Sequence, residues 1–184
     1  MDIFWTTLIL LTLLLCAVTV DLRSRRVPNT LVLGGTMLAV ACHVVALAHS
    51  GSPLAGAPWW APAAGLVTGL LVLMPLYLLR ALGAGDVKLM AMVGAFVGAP
   101  EVLAVALHTL LAGGLLSLTV MLASGRAALT LTKLRFVLSE WAAWALRLRS
   151  TPFAPAAPLQ TTAVRLPYAL AISAGTVTAL MQSS

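Results

Sequence analysis

This 184-residue chain has five acidic side chains. Two of them, Asp21 and Asp86, stand where a carboxylate is expensive: Asp21 closes the apolar run Ile3–Val20, and Asp86 opens another. The other three have ordinary settings. Asp2 is terminal, Glu101 follows Pro100 in a short turn, and Glu140 sits in a basic stretch. Ionisable groups at membrane depth usually face a cavity or a partner. If both aspartates lie at one depth, they can meet. Like charge then makes it costly for both to ionise, so the pair holds one proton and titrates as a unit. That state suits hydrolysis of an amide. One carboxylate takes a proton from water while the other protonates the carbonyl oxygen. Such chemistry requires no metal, cofactor or covalent intermediate.

The neighbours of each acid strengthen this reading. Gly83-Ala84-Gly85 leads into Asp86, and Lys88 follows it. Glycines permit unusual backbone dihedrals and close approach of another chain. Exposed backbone beside an acid could pair with an extended peptide in strand fashion. Asp21 is followed by Arg23, Arg25 and Arg26, then by the turn Val27-Pro28-Asn29. Structural explanations compete: Asp is a favoured helix cap, and Asp21 could simply pair with the arginines. The competing functional use is proton- or solute-coupled transport through the same acids. An inverted repeat would favour transport, and none is evident. A non-catalytic assembly subunit is a third reading.

The elements that must position these residues follow from composition. Apolar residues make up 61% of the chain and charged residues 9%, with a mean hydropathy of +1.04. A soluble domain has roughly 45–50% and about 25% respectively. Sixteen charged side chains could not cover a soluble globule of this size, so disorder and a water-soluble fold are both excluded. Cys16 and Cys42 form no CxxC, which argues against a zinc site or a disulfide scaffold. His43 and His108 lie within apolar runs without a matched partner and read as packing groups. The net charge of +6 points to a membrane surface in this setting and not to nucleic acid.

Runs of about 20 apolar residues can span a bilayer. The expected spans are 3–20, 31–48, 61–79, 84–99, 102–123 and 166–181, the fourth being short and the third carrying Pro75. The expected fold is an all-α integral membrane protein, a single domain over 1–184 with about six transmembrane helices. All eleven basic residues fall in alternate loops, and the loops at 49–60 and 99–101 hold none. Basic loops face the cytoplasm. Both termini are therefore expected outside, with Asp21 and Asp86 near the cytoplasmic face. Trp5, Trp59 and Trp60 fall at outer boundaries; Tyr77, Trp141, Trp144 and Tyr168 fall at inner ones, as an interfacial belt requires. Within 126–150, apolar residues recur at spacings of three and four, and Arg126, Lys133, Glu140 and Arg147 recur every seven. This predicts an amphipathic helix flat on an anionic inner leaflet. The prolines of Thr151–Leu159 end it in an extended connector.

Taken together, these segments resemble the aspartic GxGD-type prepilin peptidases, a family of intramembrane proteases. The matching residues are Asp21 with Val27-Pro28-Asn29, then Gly83-Ala84-Gly85-Asp86 with Val87-Lys88-Leu89. Leu166-Pro167-Tyr168-Ala169-Leu170-Ala171-Ile172 is similar to the family's Pro-Tyr-Gly-x-Ala-Ile element, with Ala169 where Gly is usual. The resemblance implies an aspartic endopeptidase of a bacterial inner membrane with Asp21 and Asp86 as its dyad. Gly83, Gly85, Pro28, Asn29 and Lys88 would shape the site or bind substrate. It implies a prepilin substrate with a basic leader, cut at the cytoplasmic edge, and possible contact with pilus assembly machinery. Larger members carry two CxxC pairs for N-methylation, which two separated cysteines cannot form. The chain is thus expected to be a peptidase-only form like those of tight-adherence (Flp) pili. Helix dipoles favour a charged Asp86 at a helix N-terminus and a protonated Asp21 at a C-terminus, while the three arginines near Asp21 push it the other way.

Overall fold

The structure is a computed structural model; it describes residues 3–24, 27–50, 59–79, 82–123, 139 and 168–183. These form six helices and no strand among the described residues: α1 (Ile3–Ser24), α2 (Asn29–Ser50), α3 (Ala61–Leu78), α4 (Ala84–Val97), α5 (Ala99–Ala123) and α6 (Tyr168–Ser183). Met1–Gly113 with Pro167–Ser184 make one compact unit and Gly114–Leu166 a second. Of the second unit, the described residues are the last turns of α5 and Ser139. Apart from Ser139, the surface helix expected at 126–150 and the connector after it lie outside the described residues.

The protein is an all-α membrane protein. Four helices, α1, α2, α3 and α5, are long and apolar enough to cross a bilayer. Their outward faces carry large apolar side chains that water would not tolerate in such number. On α5 the exposed stripe is Leu103, Leu107, Leu111, Leu115, Leu118 and Leu122, at helical spacing. Hydroxyls within the helices turn back onto their own backbone. Thr12 donates to the Leu8 carbonyl at 2.8 Å, Thr36 to Val32 at 2.8 Å and Thr176 to Ile172 at 2.8 Å. A hydroxyl facing hydrocarbon has no water to bind, so the carbonyl one turn earlier satisfies it.

Helix α4 is different. It has 14 residues, about 21 Å at 1.5 Å per residue, against a hydrocarbon layer of about 30 Å. It can be short because protein surrounds it: α4 packs against α1, α2, α3 and α6. Val87 and Leu89 through Ala95 are all buried. A helix buried on every face shows no amphipathic stripe, so sequence periodicity cannot mark its packing.

Its closest partner is α3, and backbone meets backbone there. A Cβ on Gly65 would collide with the carbonyl of Gly94, and one on Gly94 would collide with that of Gly65. A Cβ on Gly69 would sit 2.6 Å from the Met90 carbonyl oxygen. Small residues let helices approach this closely in a membrane, where packing and not water exclusion drives association. The turn after α4 is one residue. Gly98 has φ 92° and donates its N–H to the Gly94 carbonyl at 2.8 Å. Helix α5 therefore begins at Ala99, three residues before the expected Val102, because Pro100 is tolerated in a first turn. Helix α1 runs four residues past Val20, which places Asp21 inside its last turn.

Gly65→Ala is expected to destabilise the protein by about 1–3 kcal/mol or more, since the obstacle is backbone. Gly34, exposed with no described residue near its missing Cβ, is the control. Gly34→Ala is expected to be neutral or to gain up to about 1 kcal/mol from helix propensity. Thermal unfolding of both variants in detergent checks the pair; equal melting temperatures would contradict the packing described.

Candidate active site

Three helix ends and one turn build the site. Asp21 lies in the last turn of α1 and is only 7% exposed. Its Oδ2 is buried without a hydrogen-bond partner among the described residues. Of the three arginines that follow, Arg23 is exposed, and residues 25 and 26 lie outside the described residues. The turn 27–28 leads into α2. The Pro28 carbonyl starts that helix by accepting from the N–H groups of Leu31 at 3.2 Å and Val32 at 3.4 Å. This suits proline, which has no N–H to lose at a helix start.

Asp86 is the third residue of α4. Its Oδ2 accepts a hydrogen bond at 3.1 Å from the backbone N–H of Gly83, the N-cap. The Asp86 N–H in turn donates to the Gly83 carbonyl at 3.1 Å. A carboxylate at the third position thus reaches back over the first turn, as in a capping box. The helix N-terminus favours its charge. Gly83 holds φ −80° and ψ 153°, extended backbone open to any residue, and Gly85 lies within α4. Among the described residues only Gly98 has positive φ. Unusual dihedrals, the reason anticipated for the two glycines, are therefore not what they provide. A Cβ on Gly83 would sit 3.2 Å from the Asp86 carboxylate, a tight approach, while one on Gly85 would make ordinary contact with Val27 at 3.4 Å.

The structure brings the two motifs together. Lys88 donates from Nζ to Asn29 Oδ1 at 3.0 Å, joining the first turns of α2 and α4. Val27 lies against Gly85. Asp21 and Asp86 are near enough for the charge of one to act on the other. The charge of Asp86 also reaches Tyr168, the first residue of α6. Sequence reasoning placed Tyr168 at the interface and in the third motif, but did not make it a site residue. It also did not single out Val27. The two histidines stay apart from this cluster. His108 donates from Nδ1 to the Ala104 carbonyl at 2.8 Å, and His43 is buried in α2 with Nε2 unpartnered among the described residues.

Two acids from separate helices of an all-α membrane protein thus act on each other electrostatically. The sequence pattern of the type IV leader peptidase family matches residues 8–118, more than half of the chain. The chain belongs to that family and is a peptidase of the prepilin leader peptidase kind. The matched range contains Asp21, Val27-Pro28-Asn29, Gly83–Asp86 and Lys88; Tyr168 lies beyond it. No curated protein and no solved structure matches the chain.

The Lys88–Asn29 bond should be measurable as a coupling. Lys88→Met and Asn29→Ala are each expected to lower stability modestly, and the double variant by less than their sum. The difference should be about 0.5–1.5 kcal/mol, the net worth of such a bond. Additive losses in a double-mutant cycle would mean that the two side chains do not act together.

Proposed function

We propose that the protein is an intramembrane aspartic endopeptidase that removes the leader from a Flp-type prepilin, with Asp21 and Asp86 as its catalytic dyad. The observation that carries this reading is the placement of two acids, distant in sequence, within each other's field in an apolar bundle.

The two acids divide the work, one as base and the other as acid. Asp86 accepts a backbone N–H at the start of α4. Asp21 is buried in the last turn of α1 with one oxygen unpartnered among the described residues. One carboxylate takes a proton from water as the water oxygen bonds to the scissile carbonyl carbon. The other carboxyl gives its proton to the carbonyl oxygen. When the tetrahedral intermediate collapses, the C–N bond breaks, the proton on the base passes to the leaving amine, and the acid recovers its proton from the hydroxyl. Each acid ends as it began, and atoms balance without a metal or a covalent intermediate.

Gly83 gives the Asp86 carboxylate room, Gly85 and Pro28 shape the wall, and Asn29 and Lys88 tie that wall to α4. The pattern of basic residues supports a site at the cytoplasmic face of a bacterial inner membrane with both termini outside, since the alternate loops carry no positive charge. The substrate would then be cut where its basic leader meets the membrane edge. The 126–150 segment would lie on anionic lipid. Delivery of mature pilin to an assembly machinery follows from the substrate class.

Asp21→Asn and Asp86→Asn are each expected to reduce leader removal by about 10²–10⁴-fold, the usual worth of general acid–base catalysis. The assay is co-expression with a tight-adherence prepilin, read by the mass of the pilin. Cleavage that persists in both variants would remove the dyad reading.

A further inference from the structure

Beside the acid pair stands a hydroxyl that the two-carboxylate scheme does not use. Tyr168 opens α6, the helix that packs against both carriers of the dyad, α1 and α4. Its ring is partly buried against the core that contains Val87, Ala169 and Ile172. The hydroxyl end of the ring rests on Gly113 of α5. A Cβ there would meet Tyr168 Cε2 at 2.7 Å, Oη at 2.8 Å and Cζ at 2.9 Å.

A tyrosine at the end of a membrane helix is ordinarily an interfacial anchor, with its hydroxyl among headgroups. Here the hydroxyl end lies against a glycine buried in α5. The residue is part-buried and makes no hydrogen bond to a described residue, while the charge of Asp86 reaches it. Gly113 and Gly114 are adjacent but not equivalent: Gly113 is the seat of the ring, and no described residue lies within 4 Å of a Cβ on Gly114.

We propose that Tyr168 is a third catalytic residue, whose phenol O–H, seated on the bare backbone of Gly113, donates a hydrogen bond to the carbonyl oxygen of the peptide bond being cut. The inference rests on the dyad reading above and adds to it a neutral donor. The proton of the acidic partner in the dyad and the phenol then share the oxygen on which charge develops. A donor aimed at a developing oxyanion acts mainly in the transition state, so its loss appears in kcat more than in KM.

The test uses purified full-length protein in detergent and a tight-adherence prepilin as substrate. Tyr168→Phe keeps the ring and its packing and removes only the hydroxyl. It is expected to lower kcat by about 10–100-fold, toward the lower end of the usual cost of an oxyanion donor, with KM within about twofold and an unchanged Tm. Gly113→Ala is expected to lower kcat by displacing the ring, and to add little when combined with Tyr168→Phe. Gly114→Ala is expected to match wild type. A wild-type kcat for Tyr168→Phe overturns the proposal, and so does a loss carried wholly by KM or by Tm. Loss of cleavage in the Asp→Asn variants alongside a fully active Tyr168→Phe would remove this inference and leave the dyad standing. Cleavage that persists in the Asp→Asn variants would remove both.

Discussion

The meeting of two backbones at Gly65 and Gly94 governs the rest of the compact unit. Because α3 and α4 touch without side chains between them, α4 can sit inside a cage of four helices. Once caged, it need not be long enough to face lipid at both ends. The start of this 14-residue helix is then fixed by its neighbours. That start carries Asp86, part-buried between the exposed Ala84 and Lys88. The glycine contact thus helps to set where Asp86 stands.

The long helices were legible from hydropathy because each has an outward apolar face and enough length. Asp21 and Asp86 stood out because a carboxylate at membrane depth is rare. Less of the packing could be read. Gly94 was picked out as a small residue spaced for close contact, but its partner, Gly65, lies in a run whose composition says only that it is apolar. Gly113 and Gly114 are identical in sequence terms, and only the position of Tyr168 separates them. Helix ends were misjudged where a local device overrides hydropathy. Gly98 turns the chain in one residue, so α5 starts at Ala99. Asp21 does not stop α1, because its last turn still has Arg23 and Ser24 to carry it outward.

The contact between the motifs was not readable at all, because it is a tertiary fact. Val27-Pro28-Asn29 looked like a turn with a recognisable pattern. Its reason emerges from what it touches: Asn29 receives the Lys88 ammonium, Val27 covers Gly85, and the Pro28 carbonyl starts α2. The turn sets the first turn of α4 from one side as Gly65 and Gly69 set its length from another. Lys88, which reads in the sequence as a topology signal, is also a strut.

The two acids have different settings. Asp86 has a backbone donor at 3.1 Å and opens a helix; Asp21 has an oxygen unpartnered among the described residues and stands at the carbonyl end of α1. Both settings last only while the two helix ends are held in place. Rigidity at the start of α4 comes from its cap and from the Lys88–Asn29 bond. At the end of α1 it comes from the core residues Leu14 and Ala17, which lie two turns and one turn before Asp21 and are almost fully buried. Packing in the apolar interior thus sets where the two acids stand at its edge.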